Sequence, residues 1–435
     1  MISATSILIL FGVLFFCLLI GVPIAFTLGL SGIITILTVG EQFMIQVPLT
    51  LNKTLAEFVF VAIPLYVLMG EILYKGKSGE RIFFLVNSWL AKLRGGTGIA
   101  TVSAYTFFAA IVGSSMASVL TIGKIAIPEM AKQKYQKGVT YGLSAVGGSL
   151  GMLIPPSMGL LLYASLTGVS PSKLFLAGVV PGLLIAGMLA IWVMYKAPKM
   201  VKEIVSETAT ETAATVIENK SSTKDVVKAI PDIILPVIVL GGIYAGIYSP
   251  TEAAAVGVVY ALIINLLLHR SLKIKNLGEI LLESTRTTAM LLSIVVGALV
   301  FGSALTLVGL SDFLAGWIEG LNVAPWVVLL AMNLIWLVMG FFLECTSILL
   351  ITTPLFFPII MSLGYDPIWF GIMMMINMEL AVITPPVGMN LFALKSLLPD
   401  ESMGNIIKGV LPSIAIVVIA LILVWLFPGI AIGIL

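Results

Sequence analysis

Two short runs of small and hydroxyl residues stand out in a chain that is otherwise apolar. The first reads Gly113-Ser114-Ser115-Met116-Ala117-Ser118 and the second Glu344-Cys345-Thr346-Ser347. Hydroxyl and carbonyl oxygens are hard ligands, and small residues let the backbone approach a bound species closely. Each run is followed by a break signal: Pro155-Pro156 and Pro385-Pro386 are the only Pro-Pro pairs in the chain. Two adjacent prolines remove backbone donors and interrupt a helix, which frees carbonyl groups. A polar run together with such a break offers an oxygen-lined pocket suited to a hard monovalent cation. Neither run holds the several carboxylates that a calcium cage needs. Taken singly, a serine of this kind serves ordinary helix packing and a Pro-Pro a packing kink. Two of each at equivalent positions favour a site.

The solvent around these residues is lipid. Of 435 residues, 60% are hydrophobic and 10% charged, against about 25% charged in soluble domains, so the chain cannot cover a water-facing surface. Apolar stretches of about 20 residues, the length that crosses a bilayer core, recur from end to end. The net charge of +2 argues against nucleic-acid binding. His269 is the only histidine, and the two cysteines, Cys17 and Cys345, lie far apart in apolar runs. Multi-histidine zinc chemistry is thereby excluded, and Ser-His-Asp or Cys-His chemistry and a disulfide framework find no support.

In that setting Glu344 is the most informative acid. From Thr287 to Leu394 there is no lysine, arginine or histidine. A carboxylate inside a membrane is costly and is read as functional; it can hold a cation, accept a proton or cap a half-helix N-terminus. Glu379, before the second break, is a weaker instance. Asn390, just after that break, can serve a substrate or a cation, and Ser118 and Ser157 join it as candidate substrate contacts. Glu71 and Glu129 read as solvated groups near the membrane interface, and Arg286 as an anchor at the cytoplasmic mouth.

The elements that position these residues follow from hydropathy. Ten crossings are predicted, at about 5–20, 22–38, 56–73, 139–169, 173–196, 229–247, 251–268, 286–306, 368–396 and 409–428. Two further apolar regions, 97–133 and 325–360, read as helical hairpins, each entering and leaving on one side. The clusters Lys75–Arg94, Lys132–Lys137, Lys196–Lys228 and Arg270–Arg286 then fall on one side of the membrane, with Lys53 and Lys173 as isolated exceptions. The positive-inside rule makes that side the cytoplasm. Met1–Leu10 lacks the basic start of a signal peptide and reads as the beginning of the first span.

The two Pro-Pro pairs are offset by 230 in the numbering, as are Pro128 and Pro358; Gly178–Pro181 (GVVP) and Gly409–Pro412 (GVLP) match with one residue of drift. A constant offset through several landmarks is a repeat. The expected organisation is a first repeat over 1–200, a polar cytoplasmic linker over 201–228 and a second repeat over 229–435. The basic residues place one hairpin mouth inside and the other outside, so the repeat is inverted. That arrangement gives two exchangeable conformations around one midplane site, and it favours a secondary transporter over a passive pore. The predicted fold is an all-α polytopic membrane protein of inverted-repeat type, with about ten crossings and two helical hairpins.

With these motifs in hand, the chain resembles the large membrane subunit of tripartite ATP-independent periplasmic (TRAP) transporters, the DctM type. The similarity runs over nearly its whole length. It is carried by GVPIAF from Gly21, IPLYVLMGEIL from Ile63, GSSMASV from Gly113 and GMLIPPS from Gly151, and most specifically by GGIYAGIYSPTEAAAVG from Gly241 and TPPVGMNLF from Thr384. The resemblance implies a sodium-coupled symporter of the bacterial inner membrane, an elevator-type transporter. Its partners would be a separate four-helix membrane subunit of DctQ type and a periplasmic binding protein of DctP type. The latter delivers an organic acid, commonly a C4-dicarboxylate or a sialic acid. Sodium ions are the coupling ions. Carried over by motif, a first sodium site would use Ser114, Ser115 and backbone near Gly151 and Pro155. A second would use Glu344, Thr346 and Ser347 with backbone near Thr384 and Pro385. A stand-alone ion-coupled anion carrier with the same hairpins is the alternative.

Overall fold

The computed structural model describes residues 4–90, 93–197, 223–320 and 323–435. Among them the secondary structure is helical throughout. The proposed linker lies outside the described residues except at its end, where 223–228 form the first turns of a spanning helix rather than a connector. The predicted crossings appear as α1 (Ala4–Leu19), α2 (Ile24–Val39), a 3-10 turn leading into α4 (Ala62–Lys75), α10 (Pro171–Lys196), α11 (Thr223–Tyr244), α12 (Pro250–Leu262), α13 (Ile274–Val308) and α19 (Met403–Leu426), with two interrupted ones between them. Two amphipathic connectors, α5 (Ser78–Leu90) and α14 (Leu310–Gly320), lead towards the hairpins. A further helix, α3 (Gln46–Ala56), joins α2 to α4.

The first hairpin is α6 (Gly96–Val112) and α7 (Ser115–Lys132); the second is α15 (Pro325–Gly340) and α16 (Cys345–Ser362). Their arms have 16 to 18 residues, about 24–27 Å at the helical rise, at least as long as α1 and α2 with 16 each. The interrupted crossings are α8 (Lys137–Ser149) with α9 (Met158–Thr167), and α17 (Pro367–Ile383) with α18 (Met389–Leu397). The peptide bonds Pro155-Pro156 and Pro385-Pro386 are cis.

Helices related by the offset of 230 make matching contacts across the two halves. In one layer α2 packs along α13 and α12 along α4; in the other α9 packs on the second hairpin's α16, and α18 on the first hairpin's α7. The halves are thus interlocked, and each half-helix beyond a break lies against the hairpin of the other half. Small residues make the α2–α13 crossing close: a Cβ on Gly32 would stand 3.0 Å from the backbone of Val300 and Phe301. In lipid, where the hydrophobic effect does not drive helices together, such close approach supplies the packing energy. The second hairpin is stiffened by Trp336, fully buried, whose indole donates to Thr352 Oγ1 at 2.9 Å. Its ring packs 5.7 Å from Phe356 and 5.3 Å from Phe370.

The largest boundary shift is at the eighth crossing. The crossing read from 286 starts at Ile274, and α13 runs for 35 residues, about 52 Å. Outside the hydrocarbon a helix needs no apolar residues. Here the polar extension is held by Lys75, whose ammonium lies 2.8 Å from Glu279 and 2.9 Å from Glu283. Nearby, α5 is pinned to α11 by a buried ion pair. Arg81 donates from Nε to Asp232 Oδ2 at 2.8 Å and from Nη2 to Oδ1 at 2.9 Å, and adds bonds to Ser78 and Asn265 at 2.9 Å each. His269 Nε2 stands 3.2 Å from the same carboxylate, which is fully buried.

The two halves are also joined where α8 begins. Glu401, in the α18–α19 loop, receives Lys137 Nζ at 2.7 Å and the Tyr141 hydroxyl at 2.8 Å, both from the start of α8, and Asn405 Nδ2 at 2.8 Å. The Lys137 ammonium, with Asn405 and Tyr141, holds the Glu401 carboxyl down to about 2. A depressed carboxyl contributes stability that is present above the unfolded value of about 4.3 and is lost as pH falls towards the folded one. Glu401→Gln should therefore melt below the wild type at pH 7, with the gap narrowing steadily between pH 5 and pH 3. A gap that stays constant over that range would show that this carboxylate does not carry the effect.

Candidate functional site

The first tip is made by a change of backbone hand. Gly113 has φ +64°, a left-handed conformation that glycine adopts without penalty. It turns α6 back into α7, whose first turn is capped by Ser114 accepting from Ala117 N at 3.4 Å. A Cβ on Gly113 would meet Pro156 O at 3.4 Å, and one on Gly151 would meet Ala109 O at 3.1 Å. The first tip and its α6 arm thus lie against the first break, bringing Ser114 and Ser115 to the neighbourhood of Gly151 and Pro155. The second tip opens α16 at Glu344, whose Oε1 accepts from Thr346 Oγ1 at 2.8 Å. Cys345 Sγ donates to Met378 O at 3.3 Å and ties this tip to α17, ahead of the second break.

Both tips open onto one cavity of about 310 Å³. Ser114, Ser115, Glu344 and Thr346 lie on its wall, with Met152 and Met158 from either side of the first break and Val382 and Met389 from either side of the second. The opposite wall comes from Val67, Gly70, Glu71 and Tyr74 of α4 and from Thr287, Met290 and Leu291 of α13. These lie towards the C-terminal end of α4 and in the N-terminal half of α13.

The other predicted residues are not part of this wall. Ser347 is buried in the first turn of α16. Thr384 donates to Leu380 O at 2.6 Å, and Pro385 follows it in the second break. Ser118 donates to Ser114 O at 2.8 Å within its own helix. Ser157 donates to Met152 O and caps α9 by accepting from Leu160 N at 3.3 Å. Asn390 is fully buried at the start of α18; it accepts from Ser115 Oγ and donates to Ala145 O, each at 2.8 Å. None of Ser118, Ser157 and Asn390 is on the cavity wall. Asn390 is a bridge between the first tip, α8 and α18, and so between the two halves.

Three acids depart from or refine their sequence reading. Glu71 is not a solvated interface group; it is half-buried and lines the cavity. Burial of the α4 face that carries it depends on α13, which hydropathy does not reveal. Glu379 is fully buried in α17, and neither carboxyl oxygen has a hydrogen-bond partner among the described residues. Glu129 is at the surface beside Lys132, 3.3 Å away.

The sequence reading also missed the methionines of the wall. Met116, Met152, Met158, Met290, Met375, Met378 and Met389 all face the cavity. They lie on six different segments, and their apolar spacing is that of ordinary core filling.

Comparison with known proteins agrees with this architecture. Residues 11–430 match the family "Tripartite ATP-independent periplasmic transporter, DctM component". The C4-dicarboxylate TRAP transporter large permease protein of Pseudomonas aeruginosa is 39% identical over 94% of this chain and 93% of its own length. The sialic acid TRAP transporter large permease protein of Vibrio cholerae is 32% identical over 94% and 93%. Among solved structures, the Alcanivorax borkumensis YdaH transporter superposes with a TM-score of 0.59 at 14% identity, over 89% of each chain; at that identity the likeness is one of fold. With the family match spanning almost every helix described above, the chain belongs to the DctM family and is a large, multi-pass inner-membrane permease subunit of a TRAP transporter.

Proposed function

We propose that this subunit couples the entry of sodium ions to the import of a small organic acid, through the cavity between the two hairpin tips. The observation that carries the reading is that one cavity is walled by both tips, by residues flanking both breaks and by α4 and α13. Ser114, Ser115 and the carbonyls near the first break form one candidate cation pocket. Glu344, Thr346, Ser347 and the carbonyls near the second break form the other. The organic acid binds between them, where the N-termini of α7 and α16 favour a negative group. Relatives named for C4-dicarboxylate and sialic acid uptake support the substrate class. A small four-helix membrane subunit and a periplasmic binding protein complete the system, the latter supplying the acid from the outer side.

The moving unit comprises the two hairpins with α8–α10 and α17–α19, and it slides as an elevator against the layer of α1, α2, α4, α11, α12 and α13. The cavity meets α4 and α13 towards their cytoplasmic ends, which corresponds to the inward-facing position. Reconstituted with both partners in liposomes, the wild type should take up the acid only under a sodium gradient. Glu344→Gln should lower that uptake at least tenfold, because the carboxylate balances a cation in a site of low dielectric. Uptake at the wild-type rate would reduce Glu344 to a cap of α16.

A further inference from the structure

A second cavity, of about 510 Å³, lies elsewhere between the two layers. That volume is within the roughly 300–1,000 Å³ of small-molecule pockets. One wall is built by Glu57 and Val59, on the lead-in to α4, and by Leu299 and Ser303 of α13. The other is the last turn of α9, with Ser165 and Thr167, and the start of α10. Along α13, Ser303 is about 24 Å from Thr287 of the central cavity. The two cavities share no residue.

The polar side chains of this second cavity are acceptors. Thr167 Oγ1 donates to Tyr163 O at 2.7 Å, Ser165 Oγ to Leu161 O at 2.8 Å and Ser303 Oγ to Leu299 O at 2.9 Å. Each hydroxyl has spent its proton within its own helix and keeps lone pairs for a ligand. The last carbonyls of α9 lack intrahelical partners and give that end a partial negative charge. Glu57 adds a full one, and among the described residues no lysine, arginine or histidine lines the cavity to offset it. Between these groups Val59, Leu166, Val169 and Leu299 supply apolar surface. An ammonium head on a short apolar body matches both. The head donates three hydrogen bonds to carboxylate and hydroxyl oxygens, and the body is buried against aliphatic side chains. An organic acid would instead face the Glu57 carboxylate and the negative end of α9.

We propose that this cavity is a binding site for a small primary amine with an apolar body, and that an amine bound there, touching α9 and α13 at once, holds the two layers in the arrangement seen here. The holding rests on the sliding motion read above; the binding does not.

The test uses the large subunit with its small membrane partner in lipid nanodiscs. Binding of 2-phenylethylamine is titrated by calorimetry against that of 2-phenylethanol, its neutral analogue, with empty nanodiscs as the lipid background. The amine is expected to bind at least tenfold more tightly than the alcohol. Glu57→Gln should weaken amine binding at least tenfold, while Glu57→Asp, which keeps the charge, should retain most of it. Leu299→Trp fills the cavity from α13 and should abolish binding. Amine binding no tighter than the alcohol, or unaltered in Glu57→Gln or Leu299→Trp, would overturn the site. The holding is read from spin labels at Lys173→Cys on α10 and Thr306→Cys on α13, both exposed positions. Their distance distribution should show more than one population without the amine and collapse to one in its presence. Several populations that ignore saturating amine would overturn the holding and leave the site standing. A single distance with and without both sodium and amine would overturn the sliding motion itself, and the holding with it.

Discussion

Ser115→Leu and Thr346→Leu should each raise the sodium concentration for half-maximal uptake by at least tenfold, equivalent to about 1.4 kcal/mol of lost ion binding. Both residues line the cavity at the start of a helix that follows a tip. Leucine removes an oxygen ligand and puts an apolar side chain where the ion would sit. The two losses differ in kind. Ser115 also donates to Asn390 Oδ1, so its replacement leaves a buried amide acceptor unpaired and loosens the first tip from α18. Thr346 donates to Glu344 Oε1, so its replacement frees that carboxylate from its position. Ser115→Ala and Thr346→Val separate the hydroxyl from bulk and should give smaller shifts in the same direction. Sodium-dependent uptake measured over a concentration series decides the matter: an unchanged half-saturation in both leucine variants would sink the assignment of cation pockets to the tips.

Asp232→Ala should destabilise the protein by about 3–5 kcal/mol, the cost of leaving a buried guanidinium without its partner. With the usual unfolding entropy per residue, that lowers the melting temperature by about 3–6 °C. The carboxylate is fully buried and accepts two bonds from Arg81, which is itself mostly enclosed. Asp232→Asn keeps the shape but not the charge and should fall between wild type and Asp232→Ala. The double variant Asp232→Leu with Arg81→Met removes both charges and should recover most of the loss, since an apolar pair needs no compensation. If the double variant melts as low as Asp232→Ala, the effect lies in helix packing at the α5–α11 contact and not in the ion pair. Uptake by the folded fraction should be preserved, because neither residue lines the cavity.

The order of crossings, the two hairpins and the two breaks were legible in the chain because lipid imposes a simple rule. Every backbone group in hydrocarbon must be satisfied within its own segment, so hydropathy runs and proline pairs translate almost directly into helices and interruptions. The boundaries that moved, such as the start of α13, are where the helix leaves the membrane and that rule no longer applies. The tip residues Ser114, Ser115, Glu344 and Thr346 were legible for the same reason: polar groups at membrane depth are costly and therefore conspicuous.

What the sequence could not determine is which groups share a wall. Asn390 reaches Ser115 and Ala145, each more than two hundred residues away in the numbering. Glu71 lines the cavity only because α4 faces the tips across it, and the methionines converge from six segments that carry no common pattern. Ser118, Ser157 and Asn390, read from their types as substrate contacts, spend their polar groups on holding the tip and the breaks in place. Hydrocarbon makes single polar residues visible one at a time. Only the interlocking of the two halves, set by close helix packing between non-local segments, decides which of them meet.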